Sequence, residues 1–275
     1  MTAPDEYVEP YVDTIPNEKR QIYAGMTTCM DEGIGNVSKA LQDYGLWDNT
    51  ILVFSSDNGG SPGMGANNWP LRGSKKTLWE GGIKANGFVA SPLIKKTGTV
   101  NNGLMHVSDW FPTFVGLAGG DASQYELDGF DIWDSISNGD PSPRTELLHN
   151  IDPMAMSGTN LDISDFDNTI QAAIRVGDWK LITGDPGSGK WFAPPEDSDL
   201  EDIPDPDPAD KNIWLFNVAD DPNETTDLFD DNQDQAIEML NKLAEYQATA
   251  IGPNYPAMDL NCNPANFDDT WSPWQ

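Results

Sequence analysis

Ile51-Leu52-Val53-Phe54-Ser55-Ser56-Asp57-Asn58-Gly59-Gly60 sets an unbroken apolar run directly before an acid, an amide and two glycines. Such a run reads as a strand buried on both faces of a parallel sheet, and in open α/β sheets ligands bind where such strands end. Asp57 and Asn58 stand at that edge and offer a carboxylate and an amide oxygen, hard donors of the kind calcium or magnesium takes. Gly59 and Gly60 let the backbone turn closely around an ion. Asp-Asn-Gly is also a common turn sequence, so the residues by themselves leave both readings open.

Working outward, Met26, Met30, Ile34, Val37, Leu41 and Tyr44 recur every three or four residues, the stripe of an amphipathic helix that Gly45 ends. Phe88-Val89-Ala90 reads as a second buried strand, and Ser108 as the N-cap of a helix running through Val115 and Leu117. This alternation predicts α/β structure, and residues 1–150 are assigned to one α/β domain. The pattern then changes. Ala172-Ala173-Ile174-Arg175 and Trp179-Lys180-Leu181-Ile182 flank Gly177-Asp178 like hairpin arms, and Trp214-Leu215-Phe216 makes a further short strand. A last helix over about 234–246 puts Ile237, Leu240, Leu243 and Ala244 on one face. Residues 151–275 therefore read as a smaller subdomain, an antiparallel sheet backed by a helix. Its acidic, proline-rich stretch 194–210 cannot bury enough apolar surface to fold alone and reads as a solvated loop. It lacks the central glycine and terminal glutamate of a calcium-binding helix-loop-helix.

The chain has 45 acidic residues against 15 basic ones and a net charge of -30, a balance that repels nucleic acid and anionic membranes. No stretch approaches the roughly 18 apolar residues of a membrane span, and Met1-Thr2-Ala3-Pro4-Asp5-Glu6 is not a basic and apolar leader. An anionic ligand needs a local exception. Between Arg72 and Lys84 the sequence holds four basic residues and one acidic one, and a lysine there can hold a sulfate or phosphate oxygen as a point charge. The same lysines also suit a plain solvated face. His106 and His149 are the only histidines, so any imidazole chemistry within these residues falls to them; a lone histidine is more often structural. Cys29 and Cys262 are too few for a disulfide framework or a metal cluster. Asn36-Val37-Ser38 and Asn223-Glu224-Thr225 fit the glycosylation triplet.

Taken in order, Tyr23-Ala24-Gly25-Met26 and residues 54–60, 67–82, 87–92, 127–131, 147–153, 172–175, 179–181 and 214–216 make the chain similar to the sulfatases. The likeness is greatest to the arylsulfatase B (N-acetylgalactosamine-4-sulfatase) group. It implies an alkaline-phosphatase-like α/β core with a small C-terminal antiparallel sheet and helix, and a sulfuric ester hydrolase acting on sulfated glycans such as glycosaminoglycans. By the same resemblance Asp57 and Asn58 bind calcium, Lys75 contacts the sulfate, His149 approaches the substrate pocket, and the enzyme is lysosomal or extracellular.

One departure matters. The family's nucleophile is the hydrate of a formylglycine made from the cysteine of Cys-x-Pro-Ser-Arg, whereas Cys29 lies in Thr28-Cys29-Met30-Asp31 and Cys262 in Asn261-Cys262-Asn263-Pro264. The paired aspartates that complete the family's metal site are not found either. Calcium takes about six to eight oxygens, of which Asp57 and Asn58 supply only about two or three. The expectation is an N-terminally truncated C-terminal portion, inactive by itself without an activated nucleophile and a filled Lewis-acid site. Open sheet edges should also make it poorly soluble alone. Two alternatives remain: a non-catalytic relative that binds sulfated glycans, and a phosphoester or phosphonate hydrolase of the same superfold.

Overall fold

The computed structural model describes residues 1–195 and 200–273; residues 196–199 of the acidic stretch lie outside the described residues. A short helix α1 (Asp5–Val8) packs on the long helix α2 (Glu18–Asp43). Gly25 permits the close approach, since a Cβ there would stand 3.0 Å from the Tyr7 carbonyl oxygen. Asn17 caps α2 by accepting the Arg20 amide. The apolar stripe of this helix is not core: Met26, Met30 and Val37 are exposed.

Strand β1 (Leu52–Ser55) is followed by a one-turn helix α3 (Glu80–Ile83) and strand β2 (Gly87–Ala90), and the two strands pair antiparallel. The parallel strand expected at Ile51 to Phe54 is thereby corrected to a half-buried antiparallel one, and Phe88 in the second strand is exposed on one face. An unbroken apolar run announces a strand, but it fixes neither the partner's direction nor how much of each face is covered. Here Phe54 and Phe88 cover one another, stacked with centroids 4.9 Å apart.

Helix α4 (Trp110–Leu117) is entered through a 3₁₀ turn, Val107–Asp109. The turn is capped by His106, and Asp109, not Ser108, holds the N-cap position of α4: the His106 Nδ1 accepts the Ser108 amide, and the His106 amide donates to Asp109 at 2.7 Å. Ser108 lies inside the turn with its hydroxyl 2.8 Å from the same Nδ1. The sequence rule favours a hydroxyl at this place, but the reciprocal imidazole and carboxylate pair captures both backbone groups first. Asp109, fully buried, also receives the Arg144 Nε at 2.9 Å, which fastens α4 to the approach of the C-terminal sheet. A short helix α5 (Trp133–Asn138) fills the interval.

Strands β3 (Glu146–Met156), β4 (Ile170–Val176), β5 (Trp179–Thr183) and β6 (Ile213–Asn217) form an antiparallel sheet in that order. Strand alternation sends Ala172, Ile174, Leu181, Ile213 and Leu215 to one face, where Ala236, Met239, Leu240 and Leu243 of helix α6 (Gln233–Thr249) cover them. The opposite face carries Ala173, Ile182, Trp214 and Phe216, and Trp79 covers it. The single backing helix expected from sequence thus covers one of the two faces of the sheet. Trp79 is 0% exposed and meets Trp214 and Phe216 edge-on at 5.4 and 6.0 Å, a contact whose truncation to alanine typically costs about 3–5 kcal/mol. The basic segment is therefore laid across the sheet by its own tryptophan. Among the described residues, no helix is long and apolar enough to cross a membrane.

Candidate functional site

Arg72 is buried, its guanidinium 3.7 Å from the Trp79 ring centroid and 4.6 Å from that of Trp191. It donates to Asp205 at 2.8 Å, to Asp207 at 2.7 Å and to the Gly189 carbonyl at 2.8 Å. Two expectations change. Arg72 is not available to an anion, and the acidic stretch is not merely solvated, because two of its carboxylates dock on this cation. Composition tells what a segment cannot bury alone; it does not reveal a partner supplied from elsewhere in the chain.

The acidic member of the segment is also committed. Lys180, on the Trp79 face of β5, is 0% exposed and donates to Glu80 at 3.0 Å and Glu224 at 2.7 Å, while Glu224 accepts the Glu80 amide at 2.7 Å. Burial pushes Glu80 up, but the Lys180 ammonium outweighs it and holds the carboxyl below its usual range. Burial pushes Glu224 up further than the same lysine offsets, with the Glu80 charge adding to the rise. What remains basic and exposed is Lys75, Lys76 and Lys84.

Lys75 sits in a tight turn, 74–77, closed by the Thr77 amide on the Ser74 carbonyl at 3.0 Å and by the Thr77 hydroxyl on the same oxygen at 2.8 Å. Lys76 takes φ +76° in it, a left-handed conformation that ordinarily favours glycine. The Lys75 amide donates to the Gly60 carbonyl at 2.9 Å. The Gly59 amide donates to the Gly82 carbonyl at 2.8 Å, and a Cβ on Gly59 would run into the Gly81 carbonyl oxygen. The loop that leaves β1 is thus seated on the basic segment, which brings Asp57, Asn58 and Lys75 into one neighbourhood.

Asp57 is exposed, and its carboxylate has no hydrogen-bond or ion-pair partner among the described residues. The Asn58 side-chain amide donates to the Gly59 carbonyl at 2.8 Å, which leaves its oxygen uncommitted. In kind these donors fit a hard dication. In number they do not complete a site: among the described residues no three His, Cys, Asp or Glu side chains gather to hold a metal, and calcium takes about six to eight oxygens.

His149 comes from a different element, the C-terminal sheet. It occupies the bulge in β3 between Leu148 and Asn150, in the strand that sequence reasoning missed because Pro153 and the polar residues around it mask the pattern. Its Nε2 is shut off from solvent and has no hydrogen-bond partner. Burial, with the Lys180 ammonium adding, pushes the imidazole down to about 3, so the ring is neutral near pH 7. The unfolded chain takes up this proton near 6.5 and the folded one only near 3. Stability from this depressed group is therefore complete above the unfolded value and is lost as pH falls toward 3, by up to about 1.4 kcal/mol per pH unit. Urea unfolding at pH 7 and pH 5 should show that decline, and His149→Gln should flatten it; an equal slope in the variant would assign the acid sensitivity elsewhere.

A family model described as Sulfatase matches residues 1–120. Mouse arylsulfatase J is 44% identical over 286 aligned residues, which cover 100% of this chain and 47% of the mouse protein. The ulvan-active sulfatase of Formosa agariphila is 33% identical over 157 residues, 56% of this chain and 30% of that protein. Among solved structures, Ps i-CgsB in complex with k-i-k-neocarrahexaose superposes with a TM-score of 0.68 at 25% identity, covering 89% of this chain and 46% of that one. The chain thus spans about half the length, or less, of these relatives.

Proposed function

Because the chain belongs to the sulfatase family, with its alkaline-phosphatase-like fold, we propose that it serves the hydrolysis of sulfate esters on glycans. Asp57 and Asn58 hold a calcium ion by their side-chain oxygens, and Lys75 holds a sulfate oxygen as a point charge. His149 takes part as a neutral ring, whose unpartnered and covered Nε2 must be uncovered to exchange one hydrogen bond with the substrate. Calcium, when bound, supplies Lewis-acid polarisation of the sulfate. In this reading residues 1–275 do not complete the reaction by themselves, since they include no Cys-x-Pro-Ser-Arg and only part of a calcium shell. The glycan assignment draws on relatives described as ulvan-active and as bound to a neocarrahexaose.

The observation that carries the proposal is the Lys75 amide on the Gly60 carbonyl at 2.9 Å, two residues beyond Asn58. A second reading, a relative that binds sulfated glycans without cleaving them, draws on three lysines exposed together in an otherwise acidic chain. The full-length protein separates these with a chromogenic aryl sulfate and the matching aryl phosphate, before and after chelation. Sulfate turnover that stops with chelator and returns with calcium is the expected result. Preference for phosphate would replace the sulfatase reading by a phosphoesterase, and binding of a sulfated polysaccharide without any cleavage would favour the second reading.

A further inference from the structure

Asn68 carries no charge and its side chain makes no hydrogen bond to Asp57 or Lys75, yet its carboxamide holds both backbone groups of a single residue. Its Oδ1 accepts the Gly60 amide at 2.7 Å, and its Nδ2 donates to the Gly60 carbonyl at 3.0 Å and to the Gly73 carbonyl at 3.4 Å. Only one orientation of the side chain satisfies all three contacts, because one partner is a donor and two are acceptors. The Gly60 carbonyl also receives the Lys75 amide at 2.9 Å. Nothing larger than glycine fits at that junction: a Cβ would stand 2.6 Å from the Ala66 methyl and 3.1 Å from the Asn68 Oδ1. The loop bearing Asp57 and Asn58 and the turn bearing Lys75 are therefore joined through Gly60, and Asn68 locks the joint.

We infer that Asn68 is a positioning residue of the sulfate-ester site, setting the separation between the oxygens of Asp57 and Asn58 and the ammonium of Lys75 through its clasp on Gly60. The inference rests on the function proposed above. An ion and a lysine that act on one small rigid anion must keep a fixed spacing, and a displacement of about 1 Å costs on the order of 100-fold in rate. Asn68 acts only through that spacing, so its loss should matter only while Lys75 is present.

The test is a double-mutant cycle in the full-length enzyme, with kcat/KM for a chromogenic aryl sulfate measured at saturating calcium and thermal unfolding followed in parallel. Lys75→Ala should lose about 100- to 1,000-fold and Asn68→Ala about 10- to 100-fold, mainly in kcat. The double variant should be no slower than Lys75→Ala alone. A merely structural asparagine would lower the melting temperature and leave the two losses additive, which overturns the inference, as does a wild-type rate for Asn68→Ala. A wild-type rate for Lys75→Ala would instead remove the parent reading. If Asn68→Ala does not fold, Asn68→Asp keeps the size and the acceptor for the Gly60 amide but turns an oxygen toward two carbonyls. It should show the same non-additive loss, and wild-type turnover in it also overturns the inference.

Discussion

Lys180→Met should destabilise the protein by about 3–5 kcal/mol, the usual consequence of removing one partner from a buried ion cluster. Against a total stability of about 5–15 kcal/mol, that is enough to unfold much of the population at elevated temperature. The magnitude follows from what stays behind. Glu224 and Glu80 are 0% and 4% exposed, and Lys180 is the cation both carboxylates bond, at 2.7 and 3.0 Å. Methionine fills a similar volume, so the loss is electrostatic and not a cavity effect. Two measurements check the assignment. In the variant the folded carboxylates titrate above their unfolded values, so its stability deficit relative to the wild type should be smallest at low pH and grow as pH rises through the folded values. Adding Glu80→Gln and Glu224→Gln should also recover most of the loss, because a neutral cluster no longer buries uncompensated charge. An unchanged urea midpoint for Lys180→Met would show that water reaches the cluster. Glu80 directly precedes the two glycines against which Gly59 packs, so this cluster supports the proposed metal loop from the far side of the basic segment.

Much of this was legible in the sequence, and the rest was hidden for identifiable reasons. The β4 and β5 hairpin, β6 and α6 were readable because each has a periodic apolar pattern and clear punctuation. Arg72, Glu80, Lys180 and Glu224 were not readable as partners, because their contacts join residues far apart in the chain, and charge patterning alone presents buried pairs and solvated faces alike. The same limit hid the docking of the acidic stretch, a largely exposed loop where Asp205 and Asp207 look like every other aspartate until Arg72 is brought beside them. Trp79 was a signal that could have been used: a tryptophan within a run of charges and glycines is an anchor far more often than a surface residue. Strand β3 was obscured by Pro153 and by His149, Asn150 and Asp152, whose polarity conceals a strand that is only partly buried.

Asp57→Ala should leave the fold alone and remove the chemistry. The carboxylate is exposed and makes no hydrogen bond or ion pair among the described residues, so its loss should move the unfolding free energy of the calcium-free protein by no more than about 0.5 kcal/mol. Its effect on a calcium-loaded full-length enzyme should be of a different order. A metal ion contributes several kcal/mol of charge stabilisation in the transition state, and about 1.4 kcal/mol is tenfold in rate. Aryl sulfate hydrolysis should therefore drop by about 1,000-fold or more at a calcium concentration that saturates the wild type. The rise in melting temperature that calcium produces by binding the folded state should shrink in step. Each half of the result is informative only with the other. An unchanged rate takes Asp57 out of the metal site, whereas a lost rate with an equally damaged calcium-free fold means that the carboxylate holds the loop. Asp57 is an ion ligand only if the fold is spared while both turnover and the calcium response are lost, and that combination is what distinguishes it from the ordinary Asp-Asn-Gly turn residue that the same letters allow.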